Sequence, residues 1–334
     1  MNSQYTFELA EKIANAILYE GYMRYPSQTA ASPSQRRWTY GELYPQTYRG
    51  VQQGLEACHA QTECLVMGNA QTTLDIKLRF LHLVQRGIGK FIDDPSIEYV
   101  NVERLAVGDQ VYCVEQEAIE RECNYAHLSL TKMMQSFGFS FSSSRSTDTL
   151  QEPGGKTLGI LTQRCEALAG TIKIMTKPLE DHLFKLSIQV RNRTPLSADP
   201  PTHADARLTS FVSTHLLLRV TGGEFISLNN PPAEYRSMTS LCENIRSCPV
   251  LIGEPGTHNL MLGSPVVLED YPQIALGSTN DLLPATKNGD LLKVRMLPDE
   301  HVNQTLEQPN ALPPEVFQRL NGAAHKLRPA RGEP

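Results

Sequence analysis

Thiol and imidazole side chains gather at two places in the sequence, where they could bind a metal ion. Cys58, His59 and Cys64 form the first group, and Cys242 and Cys248 form the second. Thiolate and imidazole ligands suit zinc or nickel. Neither group has the C-x2-C pairs of a zinc knuckle, so the two groups would have to meet across the fold. Unlinked, buried or half-buried thiols are the simpler interpretation, and no cofactor is predicted.

A second candidate for chemistry is His215, which follows Ser210, Ser213 and Thr214. A histidine that takes the proton of a neighbouring hydroxyl activates it as a nucleophile. The sequence identifies no third partner, so a structural hydrogen bond is the favoured role for His215. His82 lies on the apolar face of a predicted strand, and we interpret it as a core residue.

The motifs of nucleotide-binding and hydrolase sites are missing from the sequence. Gly154-Gly155-Lys156-Thr157 resembles the end of a phosphate-binding loop but lacks the first glycine of that motif. The dinucleotide fingerprint and the G-x-S-x-G elbow are also absent. A non-enzymatic protein is therefore favoured, and a metal-dependent or hydrolytic enzyme is the alternative.

Aromatic residues are concentrated in one stretch, Tyr19–Pro45, which we call the aromatic segment. It holds five of the 12 tyrosines and the single tryptophan. Aromatic rings offer a large apolar area with a polar tip, and arginines stack on them. The segment is either a partner-binding surface or a loop that its rings pin to the rest of the fold. The candidate binding residues are Tyr19, Tyr22, Tyr25, Arg36, Arg37, Trp38, Tyr40 and Tyr44.

The aromatic segment and several later stretches resemble an uncharacterised bacterial protein family associated with gene clusters for nickel–iron uptake hydrogenases. The resemblance starts at LYEGYMRYP and RRWTYGELYP and runs almost from end to end. It continues through VRNRTPL (190–196), GGEFISLNNPP (222–232), CPVLIGEPG (248–256), MLGSPVVLEDYPQIA (261–275) and PPEVFQRLNGAAHKLRP (313–329).

The resemblance implies an accessory role in the assembly or maturation of a nickel–iron hydrogenase. It implies a protein partner, either hydrogenase subunits or maturation factors. It supplies no catalytic residues. Family members have Tyr-Arg after the first Tyr-Pro, where this chain has Ser27-Gln28, so no role for an arginine carries over to that position. A homo-oligomeric structural subunit that associates through exposed strand edges is a further alternative.

Composition sets limits on the class of protein. The chain has 334 residues, 40% of them hydrophobic, which is enough for a substantial core. Its net charge of −5 disfavours nucleic acid as a partner. We see no apolar stretch of the length that spans a membrane and no secretory signal, so a cytoplasmic protein is expected. The seven cysteines are then expected to be free thiols.

Alternation of apolar and polar residues predicts a mostly β (α+β) fold of antiparallel, β-sandwich-like sheets with an N-terminal and a C-terminal helix. In the stretch 74–84 the residues Leu74, Ile76, Leu78, Phe80, His82 and Val84 share one face. In the stretch 184–190 the same pattern places Phe184, Leu186, Ile188 and Val190 on the inner face of a strand.

Helical spacing of apolar residues predicts one helix over residues 7–18 and another over 312–327. The stretch Ser142–Lys156 is rich in Ser, Gly and Thr and has no apolar period, so it is predicted to be a surface loop or linker. It divides the chain into residues 1–144 and 157–334, two β-rich halves that either form separate units or share one core.

Overall fold

β-strands make up most of the protein, for which a computed structural model describes residues 11–15, 18, 41–92, 98–114, 116–196, 201–272, 274–276 and 292–294. All strand pairs within these residues are antiparallel, which confirms the predicted mostly β fold. The strands are β1 His59–Met67, β2 Thr73–Lys90, β3 Val100–Asn101, β4 Arg104–Val107, β5 Gln110–Cys113, β6 Gln116–Ser129, β7 Met134–Phe141, β8 Ser144–Gln151, β9 Thr157–Cys165, β10 Leu168–Glu180, β11 Leu183–Asn192, β12 Val212–Thr221, β13 Glu224–Ile226, β14 Cys248–Leu251, β15 Leu260–Ser264, β16 Ile274–Leu276 and β17 Leu292–Val294.

The helices that have defined bounds are short. They are α1 Arg49–Gln52, α2 His203–Leu208 and α3 Arg236–Thr239, the last preceded by a 3-10 turn at Ala233–Tyr235. Residues 11–15 and 18 are helical, but the rest of the predicted N-terminal helix lies outside the described residues. The predicted C-terminal helix lies wholly outside them. Both terminal helices therefore stay predictions.

Two sheets carry the fold. The smaller sheet has the strand order β13-β1-β11-β10-β7, and the larger has the order β14-β15-β12-β2-β9-β8. The long strand β2 is the centre of the larger sheet. Along one edge of β2, the first part of the strand pairs with β12 and the last part with β9. Along the other edge, β2 pairs with β6 over most of its length and with β3 at its end. A separate hairpin of β4 and β5 packs beside β2 through Leu105 and Val107.

The core lies between the facing sides of the two sheets, as expected for a sandwich. The predicted inward residues of both strands form part of one buried cluster: Leu74, Ile76, Leu78 and Phe80 of β2, and Leu186, Ile188 and Val190 of β11. At one end of this core the ring of Phe80 stacks on that of Phe211, with centroids 4.6 Å apart. Burial of each such side chain stabilises the fold by roughly 1.5–3 kcal/mol.

The outer faces of both sheets are partly covered. Ile13 and Ala14 pack against Leu217 and Leu262 of the larger sheet. On the smaller sheet, the segment that includes α3 packs on β1 and β11, where it covers residues such as Leu65. These covers explain why Leu65 and Leu217 are buried although they point away from the central core.

The two halves predicted from the sequence are intertwined in the sheets. β1 pairs with β11, β2 with β12, and β7 with β10, so each pair joins a strand from before residue 144 to one from after residue 157. Both halves therefore contribute to the same core, which was one of the two arrangements that the sequence left open.

The prediction of a loop or linker at Ser142–Lys156 is wrong for most of its length. Residues Ser144–Gln151 form β8, which pairs with β9 at the edge of the larger sheet. All its side chains except that of Leu150 are exposed. A strand without a buried face has no apolar alternation, so hydrophobic periodicity could not reveal it.

Candidate functional site

The described end of the aromatic segment is an anchor in the protein interior. Tyr44 is fully buried, and its hydroxyl donates to Glu42 Oε2 at 2.6 Å. That hydroxyl also lies 3.1 Å from Nε2 of His203, the first residue of α2. Glu42 is itself buried, and its Oε1 accepts a hydrogen bond from Arg207 Nε at 2.9 Å. Tyr44 was predicted to belong to a partner-binding surface, and this burial corrects that prediction because its ring cannot reach a partner in this structure.

Burial also sets the protonation state of this cluster. It raises the pKa of Tyr44 far above its usual range, and the negative charge of Glu42 adds to the effect. The tyrosine therefore stays a hydroxyl that donates to Glu42, while Arg207 compensates the buried charge. The cluster ties the end of the aromatic segment to α2, and its role is structural.

Both flanks of the aromatic segment are held at the same place on the larger sheet. Before the segment, Leu18 is fully buried beside Val212 at the start of β12. At its end, Leu43 and Phe211 exchange backbone hydrogen bonds of 2.9 and 3.1 Å. The amide of Asn192 adds a bond to the carbonyl of Leu43 at 2.7 Å. The two described flanks of the segment, Leu18 and Leu43, therefore both lie beside the beginning of β12.

The remaining predicted binding residues of the aromatic segment lie outside the described residues. They are Tyr19, Tyr22, Tyr25, Arg36, Arg37, Trp38 and Tyr40. Their role in binding a partner stays a prediction from the sequence.

The three residues of the first predicted metal group are held apart because they lie along one extended strand. His59 begins β1, Cys64 lies within it, and Cys58 directly precedes it. An extended chain rises about 3.3 Å per residue, so Cys58 and Cys64 are about 20 Å apart. His59 and Cys64 are an odd number of residues apart, so their side chains point to opposite faces of the sheet. These three residues cannot share one metal ion.

The second predicted metal group does not complete a site either. Cys242 packs on the outer face of the smaller sheet, close enough to Cys64 for the two thiols to influence each other electrostatically. Cys248 lies elsewhere, in β14 opposite Ser264. Burial raises the pKa of Cys64 and Cys248, and it raises the pKa of Cys242 to about 11. In the part of the chain that the structure describes, no three His, Cys, Asp or Glu residues are grouped to hold a metal ion.

His215 does not activate a hydroxyl. Its Nδ1 lies 2.8 Å from the backbone carbonyl oxygen of Ser213, to which it donates. The hydroxyls of Ser210 and Thr214 bind the carbonyls of Arg207 and Phe211. His215 is 1% exposed, and burial lowers its pKa to about 4, with the charge of Arg79 adding to the effect. The favoured prediction, a structural hydrogen bond, is confirmed for this residue.

A cavity of about 430 Å³ lies at one end of the sandwich, between the ends of β7 and β9 and helix α2. Its walls include Phe141 and Leu208, and its polar residues include Arg164, Glu166 and Asp205. Arg164 and Glu166 form an ion pair with each other. Hydrogen bonds from Thr202 hold the pKa of Asp205 below its usual range. The cavity could hold a small, mostly apolar ligand with a polar group.

The buried residues Cys165 and His82 form a cluster with the half-buried Arg121 next to the cavity, whose walls include both sequence neighbours of Cys165, Arg164 and Glu166. The Sγ of Cys165 is 3.2 Å from Nε2 and 3.4 Å from Nδ1 of His82. Arg121 Nε donates to His82 Nδ1 at 3.3 Å, and the guanidinium lies 4.8 Å from the ring centre of Phe141. The sequence predicted the burial of His82 but did not identify Cys165 or Arg121. Their contact depends on β6 and β9 both pairing with β2, which no local pattern reveals.

The electrostatics of this cluster keep it uncharged except for the arginine. Burial lowers the pKa of His82 to about 4, and the charge of Arg121 adds to the effect. Burial also raises the pKa of Cys165, although Arg121 opposes this rise. At neutral pH the pair is a thiol and a neutral imidazole. It therefore does not form the thiolate and imidazolium pair that nucleophilic cysteine chemistry needs.

Comparison with known proteins adds no family assignment. No protein-family model matches the chain, and no curated protein shows significant similarity to it. Within the described residues, none of the helices has the length and apolar character needed to cross a membrane.

Proposed function

We propose that this protein is a non-catalytic accessory protein that binds a protein partner during the assembly or maturation of a nickel–iron hydrogenase. The resemblance in the sequence supports the link to a hydrogenase. The geometry that supports partner binding is the fixing of both flanks of the aromatic segment beside the start of β12. Leu18 is packed there on one side, and Leu43 is hydrogen-bonded there on the other.

This anchoring favours a binding role because both described flanks of the segment are fixed at one place on the larger sheet. Seven of the eight predicted binding residues lie between the two anchors: Tyr19, Tyr22, Tyr25, Arg36, Arg37, Trp38 and Tyr40. Residues presented from a rigid scaffold are the usual way in which a loop binds a partner. Tyr44 and Glu42 then act as the fixed base of the segment.

The test is affinity purification from cells that produce the hydrogenase, followed by mass spectrometry. The wild-type protein should recover hydrogenase subunits or maturation factors. The double variant Arg37→Ala with Trp38→Ala should lose them. The matched control is Val111→Ala, because Val111 is 65% exposed on β5 and is not part of the segment. Recovery of the protein alone, together with normal hydrogenase activity in a deletion strain, would refute the proposal.

One observation favours the enzyme alternative, namely the cavity beside Cys165 and His82. A pocket of this size with a few polar groups is a reasonable ligand site. Elemental analysis of the purified protein and ligand-induced shifts of the melting temperature test this alternative. A stoichiometric metal, or a ligand whose effect disappears when Leu208 is replaced by Trp to fill the cavity, would favour it over the accessory role.

A further inference from the structure

Among the long strands with an edge that no described strand pairs with, β7 is the one without charged residues or proline. The long strands β6, β7 and β8 each have an edge to which no described strand is bonded. Proteins normally protect such edges with charged side chains or proline. β6 carries Glu120 and Glu122, and β8 carries Arg145 and Asp148. β7, with the sequence MQSFGFSF, has no ionisable residue and no proline.

The backbone of β7 is oriented for pairing at this edge. The carbonyl of Met133, just before β7, accepts a hydrogen bond from the amide of Thr176. Because bonding direction alternates along an antiparallel strand, Gln135, Phe137, Phe139 and Phe141 bond to β10. The intervening residues, Met134, Ser136, Gly138 and Ser140, direct their N–H and C=O groups to the open edge. These same four residues are exposed.

The middle of β7 reads the same in both directions: Ser136-Phe137-Gly138-Phe139-Ser140. Two antiparallel copies of this stretch, related by a two-fold axis at Gly138, would place identical residue types opposite each other. Ser136 would face Ser140 of the second copy, and Phe137 would face Phe139 of the second copy. The glycines would face each other on the axis.

We propose that two copies of the chain associate by antiparallel pairing of β7 with β7 about Gly138, which joins the two smaller sheets into one. This pairing goes beyond the accessory role and does not depend on it. The occupant of the edge is a second copy because the neutral, palindromic strand fits itself in residue type and brings no like charges together. An isologous contact of this kind closes with two subunits.

The two faces of the proposed pairing have complementary characters. On the inner face, the half-buried Phe137 and Phe139 would form cross-strand aromatic pairs at positions that are not hydrogen-bonded, where side chains come closest. Phe137 already contacts Tyr125, with ring centroids 5.1 Å apart, so the pairing would extend an existing aromatic row. On the outer face, Ser136, Gly138 and Ser140 are small and neutral, so no charged groups face each other across the pairing.

Gly138 provides a clean test because the single chain has room for a side chain there. Among the described residues, a Cβ at Gly138 would meet only the carbonyl oxygen of Gly170, at 3.9 Å, which is an ordinary contact. Gly138→Lys would place two ammonium groups face to face on the two-fold axis. Gly138→Thr is the matched control, because it adds a neutral residue that favours strands.

The measurement is the molar mass of the full chain in solution, by light scattering and sedimentation equilibrium. The single chain has a mass of 37.2 kDa, so we expect twice that mass for the wild type and for Gly138→Thr. Gly138→Lys should raise the dimer dissociation constant at least about tenfold. Circular dichroism should show an unchanged fold for both variants. A monomeric wild type, or a Gly138→Lys variant that dimerises as tightly as the wild type, would overturn the proposal.

The register is tested by oxidative cross-linking of mixed variants. Ser136→Cys and Ser140→Cys should form a disulfide dimer when they are mixed, because opposite residues in a hydrogen-bonded pair lie about 5.5 Å apart. Each variant alone should cross-link no more than the wild type, which controls for the native thiols. Equal cross-linking of Ser136→Cys alone and of the mixture would overturn this register. Both measurements use the purified chain alone, so their failure leaves the hydrogenase experiment to be judged separately.

Discussion

The sulfur of Cys165 lies almost equally far from both ring nitrogens of His82, at 3.2 and 3.4 Å. A sulfur so placed lies along the lone-pair direction of neither nitrogen, so the contact is a packing contact and not a directed proton-transfer bond. Arg121 completes the enclosure by donating to Nδ1 of the same ring. This end of the larger sheet is therefore closed by polar side chains that pack against one another.

The burial of three cysteines predicts that their thiols react slowly in the folded protein. Cys58, Cys64 and Cys165 are at most 7% exposed, and burial raises the pKa of Cys64 and Cys165. We expect these three thiols of the native protein to react with a disulfide reagent only as fast as the protein unfolds, because the thiolate is the reactive form. The rates are measured by absorbance and assigned by mass spectrometry. Cys165→Ala should remove one slow thiol, whereas the control Cys113→Ala should remove a fast one. Rapid labelling of Cys165 in the folded protein would contradict the buried cluster.

The lowered pKa values of two buried histidines predict that the protein loses stability in mild acid. The pKa values of His82 and His215 are lowered from 6.5 to about 4, so between these pH values the unfolded chain binds more protons than the folded one. The free energy of unfolding is therefore at its full value above pH 6.5 and falls as the pH drops towards 4. Each histidine accounts for up to about 3 kcal/mol over this window.

His215→Leu separates the contribution of one of these histidines. The Nε2 atom of His215 is buried and has no hydrogen-bond partner within the described part of the chain, so its loss removes no bond there. At pH 7 we expect a change within about 1 kcal/mol, from the lost bond to Ser213. Between pH 6.5 and 4.5 the variant should lose less stability than the wild type in urea titrations. The control is His182→Asn at an exposed site whose φ of 66° suits asparagine. An unchanged pH profile for His215→Leu would contradict a neutral, buried His215.

The sequence predicted those parts of the fold that have an apolar period. The inward face of β2, from Leu74 to His82, follows from alternation, because one side of that strand packs on the core. The polar strand β8 has no such period and is specified only by its pairing with β9. The pairing of strands likewise determines which candidate site residues lie close together. It separates Cys58 from Cys64 along one strand, and it joins Arg121 to His82 from neighbouring strands.

The burial of Tyr44 could not be predicted from the sequence, which left a binding surface and a pinned loop both open for the aromatic segment. A tyrosine at the end of an aromatic-rich loop suits either an anchor or a contact surface, and its own sequence neighbours do not distinguish the two. The role of an anchor depends on the contact of Tyr44 with Glu42. The charge of Glu42 is compensated by Arg207, which belongs to a helix far away in the sequence. Long-range ion pairs of this kind leave no local signal.

The ion pair of Glu42 and Arg207 predicts a strong effect of removing one partner. Glu42 is 2% exposed, so Arg207→Met would leave its carboxylate buried with Tyr44 as its one side-chain donor among the described residues. We expect a loss of about 3 kcal/mol in the free energy of unfolding. The double variant Glu42→Gln with Arg207→Met should recover part of this loss, because the buried charge is then gone. Arg193→Met is the control, since Arg193 is exposed and bonds only to Gln46 among the described side chains. Equal effects of the two arginine variants would contradict the buried pair.

The base of the aromatic segment has a second sensitive position, Gly41. Its φ is +59°, and a Cβ built there would lie 2.6 Å from Cγ of Pro265. Gly41→Ala should therefore combine left-handed strain with a steric clash and cost about 2–4 kcal/mol. Gly54 is the matched control, because it has a φ of +70° and no atom of the described residues lies within 4 Å of such a Cβ. Gly54→Ala should cost only the strain, about 1–2 kcal/mol. Urea unfolding of both variants measures the difference, and a Gly41→Ala variant that is no less stable than Gly54→Ala would show that Pro265 does not pack against the base of the segment.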